Sequence, residues 1–369
     1  MSRLFEKTKI NTLELSNRFV RSATWEGLAD DNGAVTPKLI DTMTELAKGG
    51  VGMIITGHTF VSLEGQATPR QLGVYTDDLV KGLGEMTKAV HDCGGKIVLQ
   101  LAHAGNFAAE QIVKTTPLVP SNFEGVAKTP RKEIAPQDIP NIASVFGQAA
   151  TRAKTAGFDG VQIHSAHGYF LSQFLSPAFN QRKDEFGGNI QNRSRIVLEV
   201  YQAVRKAVGN NFPVMIKMNC QDFEKNGLSL EDAVILGKML ADAGIDAIEL
   251  SGGLLTSIKF SPSRMGIKSQ DKEAYFREQA KIFKKEIDIP LILVGGIRSF
   301  EVAEQMVEQG TADYISMSRP LIREPDLIKR WKDGDRRKAE CKSDNQCFKP
   351  GFEGNGIYCV TKELEKLKK

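Results

Sequence analysis

Three residues that can do chemistry, His164, His167 and Tyr169, fall within six positions after an apolar run ending at Ile163. Two imidazoles can donate hydrogen bonds to one electronegative atom, and a phenol beside them can deliver a proton. Satisfied core histidines with a buried tyrosine are the bland alternative. Three such groups where a strand turns into a loop favour chemistry. Lys217 is the next unusual residue, since it ends the apolar run Val214-Met-Ile-Lys217. It either snorkels to water or supplies a fixed positive charge where an anion forms. Gly295-Gly296 and Ser318-Arg319 end two further apolar runs. Paired glycines let backbone N–H groups approach phosphate oxygens, and an arginine can pair with them.

These residues need a scaffold that gathers strand ends. Short β-branched runs at 18–22, 51–56, 96–101, 160–164, 214–218, 247–250, 291–294 and 313–317 alternate with helical patterns at 79–93, 139–156, 192–208, 230–243 and 300–309. That alternation predicts an α/β fold with parallel strands. Eight strands fit a (β/α)8 TIM barrel, although the count alone also admits an open doubly wound sheet. In a barrel, chemistry sits where strands end, and phosphate sits at the loops after strands 7 and 8. The predicted ends are Ala23-Thr24, Gly57-His58, Gln100, His164, Lys217, Ser251-Gly252-Gly253, Gly295-Gly296 and Ser318-Arg319. Most are polar or glycine, which suits ligand contact. Residues 104–137, with four prolines, exceed a simple connection and read as a lid or a locally structured excursion, a surface insertion being the alternative. No Walker A or Rossmann fingerprint follows a strand.

Composition narrows the class. The chain has 369 residues, 41% hydrophobic and 25% charged, with a net charge of +4. That near balance gives no nucleic-acid footprint. Lys362, Lys366, Lys368 and Lys369 alternate with glutamates as a solvated helix end does. No apolar leader or 18-residue apolar run occurs, so a cytoplasmic protein without membrane contact is expected. Five cysteines are too few for a disulfide scaffold. The expected partner is a small molecule, and self-association into a homo-oligomer stays open.

The motifs together resemble the old yellow enzyme family, in its bacterial NADH:flavin oxidoreductase and dienoyl-CoA reductase branch. The resemblance runs through Leu15-Ser-Asn17-Arg18-Phe19, Ala156-Gly-Phe-Asp-Gly160-Val-Gln-Ile-His164 and His164-Ser-Ala-His167-Gly168-Tyr169. It continues through Gln173-Phe-Leu-Ser-Pro177, Asn180-Gln-Arg182-Lys-Asp184-Glu-Phe-Gly187-Gly188, Asn192-Arg193 and Val294-Gly295-Gly296-Ile297-Arg298. It implies a barrel over residues 1–334 and a cysteine-bearing tail over 335–369. It further implies a non-covalent FMN across the barrel mouth. Ala23 and Thr24 would meet the reactive edge, Gly57 and Gln100 the pyrimidine side, and Lys217 the N1 and O2 positions. Gly295, Gly296, Ser318 and Arg319 would hold the phosphate. NADH or NADPH would reduce the flavin. An activated alkene would then receive hydride from flavin N5, its carbonyl or nitro oxygen held by His164 and His167, while Tyr169 protonates the α carbon.

The chain also departs from the family pattern. Many relatives carry arginine where Lys217 stands, no redox-tuning cysteine accompanies Thr24, and Ser318 replaces a common glycine. Cys341, Cys347 and Cys359 resemble an iron–sulfur segment of four cysteines in which Asp344 stands where the second should be. Such clusters prefer thiolates, so the tail is expected no longer to hold a stable [4Fe–4S] cluster. The alternatives to an ene-reductase are an amine-oxidising dehydrogenase or demethylase, an NADH oxidase without a dedicated alkene, and a flavin-binding sensor.

Overall fold

Strands buried on both faces need continuous apolar runs. The eight such runs form β1 (Phe19–Arg21), β2 (Met53–Ile55), β3 (Ile97–Ala102), β4 (Gly160–Ser165), β5 (Val214–Asn219), β6 (Ala247–Ser251), β7 (Leu291–Val294) and β8 (Tyr314–Met317). In the computed structural model, which describes residues 2–123, 127 and 129–367, these strands are buried almost throughout. Each pairs in parallel with the next and β8 returns to β1, closing a (β/α)8 TIM barrel.

The outer layer is α1 (Pro37–Lys48), α2 (Val80–Asp92), α3 (Ile139–Thr155), α4 (Ile190–Val208), α5 (Leu230–Asp242), α6 (Arg277–Glu286), α7 (Phe300–Glu308) and α8 (Leu327–Lys332). Thr36, Asn189 and Ser229 cap α1, α4 and α5 through side-chain oxygens, satisfying amides that the helix leaves free. Among the described residues no helix is long and apolar enough to cross a membrane. Lys362 and Lys366 lie on a short terminal helix, while Lys368 and Lys369 fall outside the described residues.

Residues 104–137 are locally structured. They hold a helical turn at Glu110–Val113 and a strand pair, Leu118–Val119 with Lys132–Glu133. Residues 124–126 and 128 of this stretch lie outside the described set.

The barrel interior is layered, as inward residues of parallel strands require. An apolar layer contains Val20, Ile55, Val98, Met215, Ala247, Ile292 and Tyr314, plugged from below by Ile10, Leu13 and Leu15 of an N-terminal hairpin. Towards the carboxyl ends the inward residues become polar. Strand register sets Lys217 level with His164 on one side and Glu249 on the other. Gln100 is likewise level with Gln162. The cleft above this layer is the place where the strands' last residues converge.

Candidate active site

A cleft of about 1020 Å³ opens at the carboxyl ends of the strands. Ala23, Thr24, Gln100, His164, His167, Tyr169, Lys217, Gly296, Ser318 and Arg319 all line it, and no carboxylate does. The topology therefore brings together residues separated by up to about 300 positions in sequence. Gly57 and Gly295 are not among the lining residues. A side chain at Gly57 would run into Glu26 and the Thr24 carbonyl oxygen. Close packing of the first two strand ends is therefore reason enough for glycine there. Gly295 presents its carbonyl oxygen to the Tyr275 amide at 3.1 Å.

One wall is a cluster of rings. The His164 and Tyr169 ring centroids lie 4.6 Å apart, and those of His164 and His167 5.5 Å. A third histidine, His58, arrives from the β2 side, with Nε2 3.3 Å from the Tyr169 hydroxyl. His167 has a left-handed backbone (φ 64°), fixed by its amide donating to Asn219 Oδ1 at 3.1 Å. Left-handed non-glycine residues persist where surrounding contacts over-determine them. His167 Nε2 meets Ser251 Oγ at 2.7 Å. His164 Nδ1 is buried without a partner, leaving Nε2 as the nitrogen open to the cleft. Burial holds all three imidazoles neutral near neutral pH. It takes His58 to about 4, and lowers His164 and His167 well below the usual range, helped by Lys217 and by neighbouring histidines. Burial also raises the Tyr169 phenol, which therefore stays protonated. Phe107, Ala104, Ala108 and Val113 of the long excursion pack around Tyr169 and help to exclude water from it.

The floor is charged. Lys217 Nζ donates to Ser22 Oγ at 2.7 Å and lies 3.2 Å from Glu249 Oε1. The Glu249 carboxylate, fully buried, also accepts from Ser22, Ser316 and Gln162 at 2.7–2.8 Å. Gln162 Oε1 accepts from Gln100 Nε2 at 2.7 Å, which leaves the Gln100 carbonyl oxygen free to accept at the cleft. Burial pushes the Lys217 ammonium down, and Glu249 opposes that shift. For Glu249 burial pushes upwards, but Lys217 and three hydrogen bonds more than reverse it, so the carboxyl sits below its ordinary range.

The far end suits a phosphate. Gly296 is left-handed (φ 74°), and a Cβ there would lie 2.7 Å from the Tyr275 ring. Two guanidinium groups, Arg298 and Arg319, border this end, and Arg298 Nε is buried without a partner. Thr24 and Ser318 share a hydrogen bond of 2.7 Å at the junction with the floor. The whole set fits a planar, hydrogen-bonding ring system carrying a phosphate: an acceptor at Gln100, a cation at Lys217 and a basic cradle at Arg298 and Arg319.

The cysteine-bearing tail crosses this end. Arg298 reaches the Cys341 carbonyl oxygen at 2.5 Å, Asn345 Oδ1 accepts from Arg319 at 2.6 Å, and Ser343 and Phe348 line the cleft. Cys341 Sγ accepts from the Ser343 amide at 3.4 Å, and Cys359 Sγ from Arg323 at 3.6 Å. Asp344 accepts from the Thr361 hydroxyl at 2.6 Å. Among the described residues no three His, Cys, Asp or Glu side chains are grouped to hold a metal ion.

The sequence placed His58 and Ser251 at strand ends and Arg298 in a family motif, all without a role, and it singled out none of Glu249, Ser343 or Asn345 as site residues. Glu249 carried a usable signal. It is an acid inside the apolar run Ala247-Ile-Glu249-Leu250, one strand after a lysine inside another.

The chain matches the NADH:flavin oxidoreductase / NADH oxidase family over residues 3–338. It is 35% identical over 343 residues to the NADH oxidase of Thermoanaerobacter brockii, covering 90% of this chain and 51% of that one. The fold of a 2-naphthoyl-CoA reductase complex superposes with a TM-score of 0.90 at 26% identity, over 97% of this chain and 56% of that one. An old yellow enzyme homologue from Zymomonas mobilis gives 0.76 at 27% identity, over 92% and 95%. The chain thus spans about half the length of its larger relatives and nearly all of the single-barrel one. With its match running through all eight strands and the loops after β7 and β8, the chain belongs to the NADH:flavin oxidoreductase / NADH oxidase family, the oxidoreductases of the old yellow enzyme type.

Proposed function

We propose that the protein is an FMN-dependent NAD(P)H ene-reductase, reducing the C=C bond of α,β-unsaturated carbonyl or related compounds. The observation that carries this reading is the wall of two neutral histidines and one protonated tyrosine facing a cleft with a cationic floor. FMN, when bound, would supply the hydride chemistry that links NADH or NADPH to the alkene. The protein's own groups supply everything else. Arg298, Arg319, Gly296 and Ser318 would hold the phosphate, Gln100 would accept from the ring system, and Lys217 would stabilise negative charge on it.

At the substrate side, His164 through Nε2 and His167 through Nδ1 hold the carbonyl or nitro oxygen. The Ser251 hydroxyl lies 2.7 Å from His167 Nε2; with the hydroxyl as donor in this mechanism, the ring proton stands on Nδ1, where it can be donated. Negative charge grows on the substrate oxygen as hydride arrives, and donors already aimed there stabilise it more than the ground state. Neutral imidazoles suit this, because they donate without surrendering a proton to the oxygen. Tyr169 gives its proton to the α carbon. The excursion over Tyr169 keeps bulk water from competing.

The test is NADH consumption without oxygen, with and without cyclohexenone, and again in air without the enone. Enone-dependent turnover with stoichiometric saturated ketone is expected. NADH oxidation in air that no enone accelerates would sink the reading in favour of an NADH oxidase.

A further inference from the structure

We propose that His58 is the proton relay behind Tyr169, replacing the proton that the phenol gives to the substrate. This rests on the ene-reductase reading above. His58 Nε2 lies 3.3 Å from the Tyr169 hydroxyl and is its hydrogen-bond partner among the described residues. The two rings stand 5.2 Å apart, centroid to centroid. His58 comes from the turn after β2 and Tyr169 from the turn after β4, so the contact exists only in the closed barrel.

Its placement is firmly built. Gln71 Nε2 donates to the His58 carbonyl oxygen at 2.9 Å, while Gln71 Oε1 accepts from the Ala67 amide at 2.7 Å. His58 Nδ1 has no partner among the described residues, and it is not among the atoms sealed from solvent, since the ring lines the cleft.

The chemistry calls for such a group. A phenol that donates its proton becomes a phenolate, and Tyr169 sits where burial disfavours that charge. Lys217 has its own counter-ion in Glu249 and makes no hydrogen bond to the phenol. His164 packs against the Tyr169 ring at 4.6 Å and is engaged with the substrate oxygen in this mechanism. A neutral imidazole can release a proton from one nitrogen while it accepts another on the opposite one, with no net charge at either end. His58 is neutral near neutral pH, because burial holds it at about 4.

The step balances without any further reactant than water. The Tyr169 O–H bond breaks as its proton joins the substrate α carbon. The His58 Nε2–H bond breaks as that proton joins the phenol oxygen. A proton from water joins Nδ1, and hydroxide leaves to solvent. The two electrons of the reduction arrive with the hydride, so neither His58 nor Tyr169 changes oxidation state. Exchange with solvent then restores the proton on Nε2.

The experiment mixes NADH-reduced holoprotein with cyclohexenone by stopped flow in H2O–D2O mixtures. In the wild type the rate should bend downwards against deuterium fraction, because two protons move together. His58→Gln keeps an amide donor but cannot pass a proton. Its enone reaction should slow about tenfold or more, relative to reduction by NADH in the same protein, and its deuterium plot should become linear. His58→Gln combined with Tyr169→Phe should be no slower than Tyr169→Phe alone, since both act in one transfer. A linear plot in the wild type overturns the relay even where no variant folds. An unchanged His58→Gln rate, or multiplicative losses in the double variant, overturns it too. If Tyr169→Phe itself leaves the enone reaction intact, the proton-donor reading of the site falls with it, whereas a Tyr169 effect without a His58 effect removes the relay alone.

Discussion

On one side of the cleft Lys217 and Glu249 keep their charges. On the other, His58, His164 and His167 give theirs up. Lys217, Glu249, His58 and His164 are almost fully removed from water and His167 is partly so, and both groups therefore face a desolvation cost. The floor meets it by pairing: each charge has an opposite charge at 3.2 Å, and the carboxylate accepts three more hydrogen bonds. Among the described residues the three wall imidazoles make no ion pair with a carboxylate, and the wall meets it by neutrality. Pairing preserves a permanent cation, which suits a cofactor that becomes negative. Neutrality preserves donors with a firm hold on their protons, which suits a substrate oxygen that must be held and not protonated. One burial problem thus has two solutions, and each suits one half of the proposed reaction.

The contrast can be broken from either side. The largest expected effect is on the wall: Tyr169→Phe should slow enone reduction by about 10²–10⁴, while flavin reduction by NADH stays close to the wild type. Stopped flow on each half-reaction separates the two, and equal loss in both would remove the proton-donor role. On the floor, Glu249→Leu strands a buried ammonium and should destabilise the fold by about 3–5 kcal/mol. Glu249→Leu with Lys217→Met should recover most of that loss in urea unfolding. Simple addition of the two single losses would mean that the pair is not a unit.

The next effect compares the two sides by pH. A histidine held at about 4 when folded and near 6.5 when unfolded contributes no pH dependence above pH 6.5. As pH falls below 6.5, the unfolded chain takes up protons that the folded wall refuses, so stability drops until about pH 4. The initial slope should approach about 1.4 kcal/mol per pH unit for each such histidine. Glu249, held below its ordinary range, adds little to that slope until the pH nears 5. Urea midpoints measured across this range in the wild type and in His58→Gln give the difference; identical slopes would mean that His58 takes up its proton as readily in the fold as in the unfolded chain. The smallest effect is Ser251→Ala, which removes one neutral hydrogen bond on His167 and should weaken enone turnover about 2- to 12-fold, read from kcat/KM.

The two sides were unequally legible before folding. His164, His167 and Tyr169 stood out because three reactive side chains share six positions, and position in sequence is enough to put them on one turn. Lys217 stood out because it breaks an apolar run. Its partner Glu249 breaks another in the same way, yet pairing them requires strand register, which sets the two residues directly opposite. His58 is 111 positions from Tyr169, and nothing local links them. Gly57 was legible as a strand end, but the crowding that a Cβ there would meet comes from Glu26 and Thr24 on the neighbouring strand end, which no local signal shows. The tail's approach to the phosphate end rests on Asn345 and Ser343, which carry no periodic signal of their own.

Periodicity and side-chain type are local properties, and they determined the eight buried strands, the helices between them, and the motif that carries the family. The state of each ionisable group was decided only by the tertiary structure. Burial and partnership are set by residues from other strands, and the same imidazole or ammonium has one charge in water and another against a dry wall or a buried carboxylate.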